Sequence, residues 1–102
     1  THTIRQLPKD EYLTKLLAAE NHYLLDIRTE KEYERGHLDG AENFNLLRAS
    51  FGKQVAALDT TRVVFLYCET AHRSPFAAKK LKRVGFTRIY DLEGGYSSLR
   101  ED

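Results

Sequence analysis

The sequence predicts an α/β fold built on a parallel sheet with helices on both faces. Two continuous apolar runs, Tyr23-Leu24-Leu25-Asp26-Ile27 and Val63-Val64-Phe65-Leu66-Tyr67, lack the alternation of a half-solvated strand and read as strands covered from both sides. The second run is followed by a helical stretch and then by a further short strand, Arg88-Ile89-Tyr90-Asp91-Leu92. Strand, helix and strand in this order form a βαβ unit, whose right-handed crossover makes the two strands parallel.

Each remaining element has its own signal. Pro8 suits an opening helical turn, and Tyr12, Leu13, Leu16 and Leu17 recur at helical spacing until Asn21, giving a surface helix with one buried stripe. Residues 29–35 and 51–58 are weaker helices, and residues 43–46 add a short strand. After the second apolar run, Ser74-Pro75 reads as N-cap and first helical residue. Ala77, Ala78, Leu81 and Val84 then face inward until Gly85 ends the helix. Gly94-Gly95 breaks the chain before a last short helix near Tyr96.

At 102 residues, 41% apolar and 30% charged, the chain is expected to form one domain, 1–102, with a true core. Sixteen basic and fifteen acidic side chains leave a net charge of +1, too little to hold a polyanion by field alone, so nucleic acid is not expected as a partner. The only cysteine, Cys68, excludes an internal disulfide, zinc knuckles and iron–sulfur centres. Apolar runs of about five residues are far short of the ~20 that cross a bilayer. A soluble, cytoplasmic monomer without membrane attachment is the expectation. The chain opens on Thr1 and contains no methionine, so the start residue has been removed or the segment comes from a longer precursor.

Cys68 directly follows the second buried strand, and Glu69-Thr70-Ala71-His72-Arg73 leads into the Ser74 helix. Ligands of open parallel sheets gather beyond the carboxyl ends of the strands, where a turn entering a helix aims unpaired N–H groups at one point. Those groups, the helix dipole and the Arg73 charge favour thiolate over thiol, which makes Cys68 a candidate nucleophile rather than a small buried hydrophobe. A Cys68–His72 metal pair would lack further ligands, so no metal is expected.

Leu25-Asp26-Ile27-Arg28, Glu32-Tyr33 and residues Gly36 to Asn43, followed downstream by Tyr67-Cys68 through Arg73-Ser74, Ala77-Ala78, Leu81, Gly85-Phe86 and Leu92-Glu93-Gly94-Gly95, resemble the rhodanese-like sulfurtransferase family over most of the chain. The resemblance implies a three-layer sandwich with a central parallel sheet of about five strands and helices on both faces. It implies that Cys68 takes a sulfane sulfur from a donor such as thiosulfate or a persulfide, carries it as a persulfide, and passes it to cyanide or a thiol. No metal or organic cofactor is implied. Backbone N–H groups of Glu69, Thr70, Ala71, His72 and Ser74 would cradle the terminal sulfur. Arg73 is expected to orient an anionic donor, and His72 to offer a second contact.

Some departures qualify that expectation. Ala71 stands where many relatives carry glycine, and its Cβ disfavours a positive φ. Glu69 sets a negative charge, read as solvent-facing, beside the thiol, which favours a protein persulfide donor over small anions. Leu99 replaces a common aromatic and is read as a packing change. Asp26 and Arg28 read as scaffold, with Arg28 able to pair with Glu32, and His37 as a turn histidine. Phosphatase or arsenate reductase chemistry on this fold encloses five residues between its cysteine and its arginine, whereas Cys68 and Arg73 enclose only four. A non-catalytic binding module is the other alternative. The run Lys79-Lys80, Lys82-Arg83 with Arg88 covers one face of the Ser74 helix, as solvated charge or as steering for an acidic partner.

Overall fold

A computed structural model describes residues 3–100. In chain order the elements are β1 (Ile4–Leu7), α1 (Lys9–Ala18), β2 (His22–Asp26), α2 (Glu30–Glu34), β3 (Glu42–Asn43), α3 (Phe51–Ala56), β4 (Val63–Tyr67), α4 (Ser74–Val84), β5 (Ile89–Leu92) and a 3₁₀ helix, Tyr96–Arg100. One five-stranded sheet runs β1-β5-β4-β2-β3 with every pairing parallel. The expected parallel sheet of five strands, with helices on both faces, is therefore present.

Alternation along the central strand positions Cys68. All five residues of β4 are buried. Val64 and Leu66 turn to a cluster with Phe51 and Val55 of α3 and Ala77, Ala78 and Leu81 of α4. Val63, Phe65 and Tyr67 turn to the opposite cluster with Leu7, Tyr12 and the partly buried Leu13, Leu16, Tyr33 and Tyr96. Period-two alternation then carries Cys68 to the α3/α4 side, where it belongs to the first cluster and lies at the start of α4.

Several expectations need correction. Leu17 is 88% exposed: it lies about 100° around the helix from Leu16 and falls off the buried stripe. Strand β1 gave no sequence signal, because it is a four-residue edge strand with exposed Arg5 and Gln6 at its centre. The strand expected over 43–46 is confined to Glu42–Asn43. Ser74 is the first residue of α4, and its hydroxyl caps no helical N–H. That hydroxyl turns inward instead and donates to Asp91.

Candidate active site

Cys68 stands one residue beyond the carboxyl end of β4 and is only 1% exposed. The backbone N–H of Ser74 donates to its Sγ at 3.3 Å, so the first turn of α4 presents an unpaired donor to the sulfur, as the strand-to-helix turn predicts. Among the described residues, the N–H groups of Thr70, Ala71 and His72 donate to no acceptor within the protein. Ala71 adopts φ +68°, the left-handed conformation for which an L residue costs about 1–2 kcal/mol. The expectation that its Cβ meets a positive φ is correct. Thr70 and His72 are exposed, with Thr70 Oγ1 3.1 Å from His72 Nδ1.

The loop is held from two sides. On one, the turn Gly94-Gly95 brings Tyr96 N–H to the Cys68 carbonyl at 2.7 Å and Ser97 N–H to the Glu69 carbonyl at 2.9 Å. On the other, Arg73 donates two parallel hydrogen bonds of 2.9 Å to Glu32, a bidentate geometry with directional strength. Those hydrogen bonds hold the Glu32 carboxyl down at about 2. Glu32 also accepts from Thr29 N–H and closes a capping box at the start of α2. Arg73 thus joins the loop's end to α2. The charge expected to orient a donor is paired with Glu32 in this structure.

Arg28 is also not where the local pairing rule put it. It is 2% exposed and grips Asp26, itself fully buried, through Nε and Nη2, the latter at 2.7 Å. It further donates to the Gly36 carbonyl and to Glu69 at 2.8 Å. Its guanidinium carbon lies 4.4 Å from the Tyr96 ring centroid, within cation–π range. Glu69 is consequently not solvent-facing: its carboxylate sits between Arg28 and Arg100. Burial pushes that carboxyl up, but the hydrogen bonds from Arg100 and Arg28 outweigh it and leave it below its ordinary range. A neutralised Glu69 opposes an anion at Cys68 far less than a free one would. A cavity of about 340 Å³ beside the loop is lined by Arg28, Glu32, Arg35, Glu69, Tyr96 and Arg100, and Cys68 is not part of its wall. His37 behaves as a turn histidine, with Nδ1 2.9 Å from the Tyr33 carbonyl.

Asp91 escaped the sequence reading of the site, since an aspartate late in a strand looks like ordinary scaffold. It is 3% exposed; one carboxyl oxygen accepts from Ser74 Oγ at 2.8 Å and the other has no partner. Burial raises it to about 6, against the opposing hydrogen bonds from Ser74 and Leu92. A raised acid stabilises the fold while protonated, so that contribution is complete below about pH 4 and is lost as pH climbs through 6. Asp91→Asn keeps an acceptor for Ser74 and removes the charge. The variant is expected to gain about 1–3 kcal/mol over the parent at pH 7.5 and nothing at pH 4, measured by urea denaturation at both values. An equal difference at the two pH values would show that Asp91 carries no buried charge.

Residues 9–102 match the family model described as "Rhodanese-like domain". The chain belongs to the rhodanese-like family. Among its curated relatives is the thiosulfate sulfurtransferase GlpE of Shewanella oneidensis, 32% identical over 89 residues, which cover 87% of this chain and 86% of that protein. The uncharacterized protein YqhL of Bacillus subtilis is 40% identical over 73 residues, or 72% of this chain and 56% of the relative, so this chain spans little more than half of that protein. The rhodanese-related protein of Thermoplasma volcanium superimposes with a TM-score of 0.78 at 21% identity, covering 94% of this chain and 91% of that one. SSP1007 of Staphylococcus saprophyticus does so at 0.76 and 23%, covering 89% and 88%. These two likenesses establish the rhodanese-like fold. Among the described residues, no helix is long and apolar enough to cross a membrane.

Proposed function

We propose that this rhodanese-like domain is a sulfurtransferase with Cys68 as its nucleophile. The observation that carries the reading is the Ser74 N–H aimed at Cys68 Sγ in a loop whose neighbouring N–H groups, those of Thr70, Ala71 and His72, have no partner among the described residues. In the first step the Cys68 thiolate attacks the outer sulfur of thiosulfate or of a persulfide donor. The new S–S bond forms as the donor's bond breaks, and sulfite or a thiolate departs with the electron pair. Free N–H donors then hold the persulfide anion, the charge that the first step generates. In the second step cyanide or a thiolate attacks the terminal sulfur and Cys68 leaves as thiolate. No organic cofactor or metal enters either step. With Arg73 and Glu69 each paired, the backbone supplies the recognition, and the Ser74 N–H is its nearest element.

The test is intact mass after thiosulfate treatment, followed by thiocyanate release on adding cyanide. The parent is expected to gain one sulfur atom, removable by reductant, and Cys68→Ala to gain none and release no thiocyanate. Thiocyanate formed at the parental rate by Cys68→Ala would overturn the reading. The 1% exposure of Cys68 favours a second reading, a non-catalytic binding module, and a parent left unmodified by both thiosulfate and a small-molecule persulfide would decide for it.

A further inference from the structure

Helix α4 leaves the Cys68 loop with an unusual outer face. Its sequence, SPFAAKKLKRV, holds four basic residues and no acid. At 100° per residue Pro75, Phe76, Lys79, Lys82 and Arg83 share one side of the helix, and all five are exposed. Ser74, Ala77, Ala78 and Leu81 occupy the buried side. None of the ion pairs among the described residues engages Lys79, Lys80, Lys82 or Arg83. The concentration is local, because with these four of the sixteen basic residues set aside, twelve remain against fifteen acids.

Lys79, Lys82 and Arg83 line a shallow depression on this face. Phe76, 66% exposed, stands at the end nearer the sulfur. With a rise of 1.5 Å per residue, the basic side chains lie about 7–14 Å along the helix from Ser74, whose N–H touches Cys68. An exposed aromatic beside a field of one sign is the arrangement of an interface anchor with electrostatic steering.

We propose that the outer face of α4 docks an acidic protein acceptor, whose cysteine thiolate takes the sulfur from the Cys68 persulfide. The proposal rests on the sulfurtransferase reading above. The acceptor thiolate attacks the terminal sulfur, a new S–S bond forms, the bond to Cys68 breaks, and Cys68 departs as thiolate. A protein fits better than a nucleic acid because the cationic field is confined to α4: on the opposite flank of the loop α2 pairs its Glu32 with Arg73 and sets exposed Glu34 between exposed Lys31 and Arg35, which leaves little net charge there. A folded acidic patch can seat on α4 alone, whereas a polyanion laid across both flanks would leave the cationic surface.

The probes are two synthetic peptides, each with one cysteine and one leucine, flanked by glutamates in the first and by glutamines in the second. The parent is loaded with sulfur from thiosulfate, and transfer to each peptide is timed at 20 mM and 500 mM NaCl. Transfer to the acidic peptide is expected to be at least about tenfold faster at low salt and to fall toward the neutral one at high salt. The triple variant Lys79→Glu, Lys82→Glu, Arg83→Glu is expected to lose that preference while keeping parental transfer to cyanide, and Phe76→Ser to weaken it. Equal low-salt rates for the two peptides, or a preference that survives the triple variant, would overturn the docking surface. Binding of the serine form of the acidic peptide to Cys68→Ala, read by fluorescence anisotropy, tests docking without chemistry. If no persulfide forms yet this binding depends on Lys79, Lys82 and Arg83, the sulfurtransferase reading fails and the surface stands. Tighter binding of a single-stranded oligonucleotide of equal charge, dependent on the same three residues, would overturn the assignment to a protein.

Discussion

Gly95→Ala is expected to destabilise the domain by about 3 kcal/mol or more and to abolish the proposed sulfur transfer with it. A Cβ at this position would lie 2.6 Å from the Cys68 carbonyl oxygen and equally close to the carbonyl carbon and oxygen of Glu69. All three are backbone atoms, so no rotamer change relieves the overlap, and the loop or the turn must shift. The backbone itself, at φ +67°, adds about 1–2 kcal/mol for any L residue. Gly40→Ala separates the two contributions, since Gly40 has φ +85° but no atom within 4 Å of the added Cβ. Thermal denaturation should show a small loss for Gly40→Ala and a loss several times larger for Gly95→Ala. Equal losses would mean that the glycine serves only its own backbone conformation and not the close approach to the loop.

The second large effect is expected from Asp26→Ala. Asp26 is fully buried and is the main partner of Arg28, receiving its Nε, its Nη2 and its backbone N–H. Removing one partner of a buried ion pair leaves the other charge desolvated, with a penalty of about 3–5 kcal/mol. For a domain of this size each kcal/mol lowers Tm by roughly 4–8 °C, so a drop of about 12 °C or more is anticipated. Because Arg28 also holds Glu69, the variant should in addition transfer sulfur more slowly than its residual folded fraction accounts for. The exposed pair of Arg48 with Glu30 lies in solvent, where an ion pair contributes little, and Arg48→Ala serves as the control. A Tm within 2–3 °C of the parent for Asp26→Ala would show that Arg28 finds its support elsewhere.

Local chemistry carried the core of the fold. The unbroken apolar runs that became β2 and β4 required two covered faces. Ser74-Pro75 marked the start of α4 to within a residue, and the place of Cys68 at the end of a buried strand marked the candidate nucleophile. What remained hidden is non-local. Arg73 and Glu32 are 41 residues apart, as are Arg28 and Glu69, and only the sheet order brings β2 beside β4. A helical i, i+4 rule could therefore offer Arg28 only Glu32, a wrong partner. Strand β1 lacked enough residues for its alternation to stand out. The inward turn of the Ser74 hydroxyl depended on Asp91, whose burial is set by two strands and a helix packed together.

The clasp formed by Tyr96 and Ser97 on the Cys68 and Glu69 carbonyls bears on the order in which the domain is finished. A ribosome delivers Cys68 about 28 residues before the two N–H groups that seat its loop. The sheet can assemble through β5 as the chain emerges, but the Cys68 turn must wait for the segment after Gly95. A nascent domain thus carries an unshaped thiol until Tyr96 and Ser97 emerge, and shaping of the loop by those two N–H groups begins only then.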